Sequence, residues 1–374
     1  MEEFDVCVIG GGMAGASVAY YLAPHARVLL LEREAHVGYH STGRSAALFS
    51  PQYGSLTIRR LTAATSHFMT SPPAGFAADA LLTPRGFMMV GTDAQREALE
   101  KLQSLADATG SPLIRLSADE LRARVPILRP GIFDWAALDK SAMDMDVNAI
   151  LQGFLRGARG HGAKVGTGEE LLALERQGAL WRARSTSLEF KAAIVVNASG
   201  AWADEIAACA AIAPLGLTPN RRTAFNFDPP AGTNVASWPM IIDAAERFYF
   251  KPDAGRLLGS LAEEEPSAAC DAQPDDLDVA VAVDRIEQVI EFPIQRVVRA
   301  WAGLRTFSSD RDPVSGFEPT TTGFYWHAAI GGYGIQTAAA LGHFAATRIL
   351  GQPAPGYLMD TGFAEGDLDP SRLR

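Results

Sequence analysis

Cysteine is scarce in this sequence and has no pattern. Its 374 residues hold only Cys7, Cys209 and Cys270, far apart and without metal-site or redox-pair spacing. That excludes a disulfide framework and fits a reducing compartment. Cys7 lies in an apolar run and reads as a small buried hydrophobe. The seven histidines share no motif, so no metal-ligand set is expected. Positive charge is in deficit, with 33 Lys and Arg against 43 Asp and Glu. This disfavours a nucleic-acid or anionic-membrane surface, and an anionic substrate must be held by local cations. No uninterrupted apolar run is long enough for a membrane span. The N-terminus, Met-Glu-Glu-Phe-Asp, is acidic where a secretory signal would be basic, so a cytoplasmic location is expected. No internal repeat is evident.

What is present suits a globular protein with a sizeable core, since 48% of residues are hydrophobic and 20% charged. The length suggests two or three domains. An apolar run ends at Gly10, and Gly10, Gly12 and Gly15 form Gly-x-Gly-x-x-Gly before an alanine-rich helical stretch. A second apolar run, Val28-Leu29-Leu30-Leu31, then ends in Glu32. This is the dinucleotide-binding order of strand, tight turn, helix, strand and acid. Gly10 permits the turn, Gly12 admits a pyrophosphate to the helix N-terminus, and Gly15 allows close helix–strand packing. Glu32 is placed to accept hydrogen bonds from an adenosine ribose. The motif by itself does not choose between nicotinamide and flavin.

Residues 38–47 read as a loop entering a short helix, with small residues that would let a flat ring approach backbone amides; an ordinary surface loop is the alternative. Residues 55–70 have helical spacing, 81–90 look like a strand pair turning at Thr83-Pro84-Arg85-Gly86, and 93–109 form an amphipathic helix. Ser117 and Glu120 make a capping box, and Asp146 starts a helix over 147–161. Strands are expected at 163–167, 171–175, 181–184 and 192–196, the last running into Asn197-Ala198-Ser199-Gly200-Ala201-Trp202. Between 217 and 299 the pattern is short alternating strands with a helix near 277–289, which suggests an antiparallel sheet. A strand at 324–328 runs into Gly331-Gly332-Tyr333-Gly334 and a helix to Leu350, whose N-terminus would suit negative charge. The tail after Thr361 is expected to be loosely ordered.

The glycine fingerprint, the loop from Tyr39 to Ala47, Asn197-Ala198-Ser199-Gly200, Tyr249-x-Lys251-Pro252-Asp253-Ala254-Gly255, Trp301-Ala302-Gly303-Leu304-Arg305 and Gly331-Gly332-Tyr333-Gly334 occur in that order. Together they resemble the FAD-dependent oxidoreductases of the D-amino-acid oxidase type, which includes glycine oxidase and sarcosine oxidase. Within that group the sequence is most similar to the bacterial D-arginine dehydrogenases. Asp312-Pro313-Val314-Ser315-Gly316 resembles the group's late element near the flavin ribityl and phosphate region.

The resemblance implies a fold of class α/β plus α+β. A discontinuous Rossmann-like FAD-binding domain (1–80, 141–215 and 300–374) would carry a substrate domain on an antiparallel sheet (81–140 and 216–299). It implies non-covalent FAD, with the adenosine end at Gly10, Gly12, Met13, Ala14, Gly15, Glu32 and Arg33, and the Val165 backbone on the adenine. Ser41, Thr42, Gly43, Arg44, Ser45 and Ala46 would meet the ring, with Gly331, Gly332, Tyr333, Gly334, Ile335 and Gln336 near its pyrimidine side. Ala198, Gly200, Trp202, Gly303 and Arg305 complete the implied cofactor set. The last cysteine, Cys270, precedes Gly331, which argues against covalent attachment.

The same resemblance gives the substrate carboxylate to Arg222 and Arg305, helped by the Tyr53 and Tyr249 hydroxyls, and the amine to the Gly332 carbonyl. Arginine's planar fork suits a carboxylate. Where the D-arginine dehydrogenases have a guanidinium-gripping glutamate, this sequence has Phe87, and where they have His-Tyr-Thr it has Leu48-Phe49-Ser50. With Met240 and Ile242, these favour apolar side chains such as those of D-leucine, D-methionine or D-phenylalanine. The implied reaction is oxidative deamination, with hydride passing from Cα to flavin N5 and the imino acid hydrolysing to a 2-oxo acid and ammonia. A quinone or oxygen would be the electron acceptor. Alternatives are oxidation of another small amine or 2-hydroxy acid (glycine, sarcosine, 2-hydroxyglutarate), a flavin-binding subunit without turnover, or a nicotinamide-dependent dehydrogenase.

Overall fold

A computed structural model describes residues 1–108 and 113–374. The chain opens with strand β1 (Glu2–Ile9), helix α1 (Met13–Leu22) and strand β2 (Val28–Glu32). Next come β3 (Leu48–Phe49), α2 (Leu56–Thr70), β4 (Leu82–Pro84), β5 (Phe87–Gly91) and α3 (Arg96–Ala108). Ser55 caps α2 by accepting from the Ile58 amide. A 3-10 turn, Asp93–Gln95, precedes α3, and Thr109 lies outside the described residues.

The chain continues through β6 (Ile114–Ser117), α4 (Ala118–Arg124), β7 (Trp135–Asp139), β8 (Met143–Met145) and α5 (Val147–Gly160). Ser117 and Glu120 cap α4 reciprocally, and Asp146 caps α5. Strands β9 (Lys164–Thr167), β10 (Leu171–Gln177), β11 (Leu180–Ser185) and β12 (Glu189–Asn197) lead to α6 (Ala203–Cys209). Then follow β13 (Thr218–Phe227), β14 (Met240–Asp243), β15 (Tyr249–Asp253), β16 (Arg256–Ser260), β17 (Glu265–Pro266) and α7 (Asp276–Glu287). The last elements are β18 (Val297–Phe307), β19 (Val314–Phe317), β20 (Phe324–Ala328), α8 (Ala338–Ile349) and α9 (Gly356–Met359).

The first sheet runs β10-β11-β12-β1-β2-β9, with β20 beside the end of β12 and β19 beyond it. Strands β9, β2, β1, β12 and β20 are parallel, so their C-terminal ends meet along one edge. Both faces are covered, which is why β2 is apolar and buried from Val28 to Leu31. The second sheet runs β17-β13-β16-β15-β14-β5-β7-β6, with β18 along β13. Its core includes Phe225, Phe227, Ile241, Phe250 and Ile286. Among the described residues, only β5 and β14 pair parallel in it. A small third sheet, β3-β8-β4, joins the two regions.

Four expectations need correction. Strands form within 81–90, but β4 pairs with β8 while β5 pairs with β7 and β14. The chain crosses between sheets here, with the Arg85 and Gly86 amides on the Ala142 carbonyl and the Arg85 guanidinium 2.7 Å from Asp144. Strand β18, assigned from residue 300 to the cofactor domain, pairs along its length with β13 of the second sheet. The final long helix begins at Ala338, so residues 335–337 are turns where the helix was expected to follow Gly334 directly. The tail is anchored: Leu368 is fully buried, Arg372 bonds Asp310 at 2.7 Å and Arg374 bonds Glu318 at 2.7 Å.

Candidate active site

A cavity of about 280 Å³ lies along the C-terminal edge of the parallel strands. This is where open α/β sheets bind ligands. Two of the fingerprint glycines make the geometry possible. A Cβ on Gly10, whose φ is +109°, would lie 2.4 Å from the Ala198 carbonyl oxygen, and one on Gly15 would lie 1.9 Å from the Gly10 oxygen. Strand, helix and the end of β12 therefore touch only because side chains are missing. Gly12 is different: a Cβ there would meet only Thr42 Oγ1 at 3.3 Å, so it faces the cavity. Thr42 Oγ1 also accepts from the Met13 amide at 3.0 Å.

Glu32 accepts the Gly11 amide on Oε2 and the Glu34 amide on Oε1, both at 2.9 Å. A carboxylate offers about four acceptor sites, so capacity remains for a ribose. Arg33 stacks 4.9 Å over Trp202 and lies 3.4 Å from Glu170. Met13, Ala14, Ala198 and Gly200 also line the cavity. Gly15 and Val165 do not. Gly15 acts through packing, and Val165 sits in β9 opposite Leu30, with Glu169–Leu171 reaching the wall after it.

The expected ring-binding loop is strapped to β18. Trp301 donates to the Arg44 carbonyl at 3.1 Å, and Ser41 donates to the Leu304 carbonyl. The Arg44 guanidinium donates to the Ala272 and Ala302 carbonyls, each at 2.8 Å, and pairs with Asp271. Its charge is thus a tie between loops rather than a free cation. Gly303 lies against Arg44, and the Gly43 amide bonds the Gly38 carbonyl at 2.8 Å. Below the loop, buried Lys251 donates to the Ala46 carbonyl at 2.8 Å and to Asp144 at 2.5 Å. Ser45 and Ala46 line the two smaller cavities that continue from the large one.

Those cavities, of about 40 and 90 Å³, meet at Arg305, Tyr249 and Gly332. Antiparallel pairing sets Arg305 opposite Asn220 and Arg222 opposite Gly303, so the two arginines are diagonal neighbours on one face. Burial opposes the Arg305 charge, but the hydroxyls of Tyr53, Tyr249 and Tyr333 around it hold its pKa above the ordinary value. Arg222 is buried, donates to the Glu263 carbonyl at 2.6 Å and lies 3.3 Å from Glu264. Glu264 also takes Arg311 through both oxygens, at 3.0 and 2.9 Å. The two arginines are therefore unequal: Arg222 already has a counter-charge.

The opposite wall is apolar, formed by Leu48, Phe87, Met145, Met240, Ile242 and Ile335. Phe87 and Met240 sit side by side in β5 and β14. Phe49 and Ser50 are corrections. Alternation along β3 turns Phe49 into the core, and Ser50 is buried with its Oγ donating to Asp139 at 3.1 Å. Gln336 lines the cavity while its amide donates to Thr62 at 3.0 Å. Tyr333 does not line these cavities; its ring lies 5.2 Å from that of Tyr53. Sequence reasoning missed Met145, Thr306 and His327. A lone histidine inside the apolar run Phe324–Ala328 was the one signal available for His327.

The sequence profile of the FAD dependent oxidoreductase (DAO) family matches residues 5–348. The chain belongs to this family. FAD is accordingly its cofactor, and the residues fit it: Gly12 leaves the α1 N-terminus open, Glu32 keeps acceptor capacity, and His327 presents a buried ring nitrogen without a partner among the described residues. Among family relatives, the chain is 24% identical over 404 residues to FAD-dependent oxidoreductase domain-containing protein 1 of Bos taurus, covering 93% of this chain and 82% of that protein. It shares its fold with L-alpha-glycerophosphate oxidase from Mycoplasma pneumoniae, solved with FAD bound (TM-score 0.84, 17% identity, covering 94% and 96% of the two chains). Glycine oxidase from Geobacillus kaustophilus has the same fold (TM-score 0.82, 20% identity, covering 94% and 96%).

Proposed function

We propose that this family member oxidatively deaminates D-amino acids with apolar side chains. The observation that carries the reading is Arg305, a cation ringed by tyrosine hydroxyls and set across a small cavity from Leu48, Phe87, Met240 and Ile242. A carboxylate is a natural partner for that guanidinium, and an apolar side chain for the opposite wall. Glycine oxidase among the structural neighbours supports an amino-acid substrate, and the resemblance to the D-arginine dehydrogenases supports the D configuration.

In this reading Arg305 and Tyr249 fix the carboxylate, Arg222 adds a weaker field, and the Gly332 carbonyl accepts from the amine. Positioning supplies most of what the protein contributes. Bound FAD supplies the two-electron acceptor chemistry, and water then hydrolyses the imino acid to a 2-oxo acid and ammonia. Neither small cavity is lined by a carboxylate or an imidazole among the described residues. The substrate amine therefore loses its proton to water, and activity rises with pH toward the amine's own pKa. A quinone or oxygen takes the electrons onward, with the cytoplasm as the proposed setting.

A second reading, a small amine such as glycine or sarcosine, rests on the cavity beside Phe87 being only about 40 Å³. Anaerobic mixing of the yellow protein with D- and L-amino acids, glycine and sarcosine separates the two. Loss of flavin absorbance with D-leucine or D-methionine is expected. Bleaching by D-arginine but not D-leucine would overturn the apolar assignment, and bleaching by glycine alone would favour the second reading.

A further inference from the structure

The wall of the large cavity contains one polar side chain that nothing in the protein accounts for. His327, on β20, is 1% exposed and its Nε2 has no hydrogen-bond partner among the described residues. Buried polar atoms are nearly always paired, so an orphan on a ligand cavity calls for a partner outside the chain. We infer that His327 is a cofactor-positioning residue, its Nε2–H donating to an oxygen of the central chain of FAD, the ribityl and pyrophosphate portion.

Three observations carry this. First, placement: His327 lines the same cavity as Glu32 and as Gly12 and Thr42, which meet at the α1 N-terminus, and as Ser41 and Gly334. It lies one residue before the end of β20, on the strand edge where ligands bind. Second, proton order. Tyr325 Oη lies 3.0 Å from Ser315 Oγ, which lies 3.1 Å from His327 Nδ1. Burial keeps the Tyr325 phenol protonated, and Ser315 is its one hydrogen-bond partner among the described residues. Tyr325 therefore donates to Ser315, and Ser315 donates to Nδ1. The reverse order would leave the phenol proton unmatched as well. Nδ1 is thus an acceptor, which puts the ring proton on Nε2, facing the cavity.

Third, charge state: burial pushes the imidazole down to about 3, so the ring is neutral at pH 7 and acts as a fixed dipolar donor. A neutral donor binds a phosphate or hydroxyl oxygen without the desolvation cost of a buried cation.

The test compares wild type with His327→Leu, His327→Gln and Ser315→Ala as full-length protein. FAD release is followed by flavin fluorescence, and the melting temperature is taken with FAD stripped. In His327→Leu, FAD affinity is expected to fall about 10- to 100-fold, as for loss of a hydrogen bond to a charged or strongly polar acceptor. The stripped melting temperature should change little, because the orphaned Nε2 is removed while the Ser315 hydroxyl loses its Nδ1 acceptor. Ser315→Ala, which frees the tautomer, should weaken FAD by a smaller factor, and the amide donor of His327→Gln should restore part of the loss. FAD affinity within twofold of wild type in His327→Leu would overturn the inference. So would weaker FAD accompanied by a lower stripped melting temperature and no rescue by glutamine. Independently, long-range ¹H–¹⁵N NMR of histidine-labelled holoprotein should show the Nε2–H tautomer at His327; the Nδ1–H form would refute the proton order.

Discussion

Arg222 and Arg305 look alike in sequence and differ in what surrounds them. Glu264 and the Glu263 carbonyl already occupy Arg222, whereas Arg305 has tyrosine hydroxyls, which neutralise nothing. Arg305→Met should therefore lower kcat/KM by roughly 100- to 1,000-fold, the range for removing one side of a buried charge-assisted contact. Arg222→Met should cost about tenfold. Steady-state kinetics on the substrate that bleaches the flavin measure both, and equal losses would show that Glu264 moves aside on binding. At this scale the sequence was informative about residue types and weak about partners. Tyr53, Tyr249, Arg305, Phe87, Met240 and Ile242 do converge. The pairing of Arg222 with Glu264, and of Arg44 with Asp271, could not be read because those partners come from chain far away.

Elements were legible where periodicity is local. Strands β1, β2, β9 to β12 and β20 and helices α1, α2 and α5 follow from apolar runs and capping residues. Pairing was not legible: β4 and β5 are adjacent in sequence, yet their partners arrive from β8, β7 and β14. The same long reach fixes the loop of residues 38–47. Lys251, on β15, holds the Ala46 carbonyl from below, and with Arg85 it neutralises Asp144. Lys251→Met leaves that carbonyl without its donor and Asp144 with one cation. A stability loss of about 2–3 kcal/mol is expected, smaller than for a fully stranded charge because Arg85 remains. FAD affinity should fall with it. Urea unfolding and flavin release would register the two effects.

Over the whole molecule, acid stability is set by groups with depressed pKa values. Burial works against the charges of Asp243, Asp310 and Glu318, but hydrogen bonds from Arg247 to Asp243, from Arg372 and Ser308 to Asp310, and from Thr320, Trp326 and Arg374 to Glu318 hold each below its ordinary value. Their contribution is complete above the unfolded pKa values of 3.8 to 4.5 and is lost as pH falls through the folded ones. His327 acts earlier. Its ring is neutral in the fold down to about 3, whereas the unfolded chain takes up its proton near 6.5. Stability from this group is therefore full above 6.5 and declines steadily between 6.5 and 3. Melting temperatures from pH 7.5 to about 4 should begin to fall near 6.5. In His327→Leu the fall above the carboxylate range should become shallower, leaving the part due to His343, whose imidazole burial also pushes down. An unchanged slope would assign the early loss to other groups.

Strand β1 sits between β2 and β12, and the turn after it is completed by Ala198 and faced by β20. During synthesis these neighbours do not exist when β1 leaves the ribosome. At roughly 5–20 residues per second, β12 follows by about ten to forty seconds and β20 later still. For that interval the glycine-rich turn belongs to a lone strand–helix–strand unit with one flank of its sheet missing. Capture of the flavin is thus a late event in the life of each nascent chain, gated by translation rather than by the supply of cofactor. A chain halted before Phe324 should leave the ribosome without FAD.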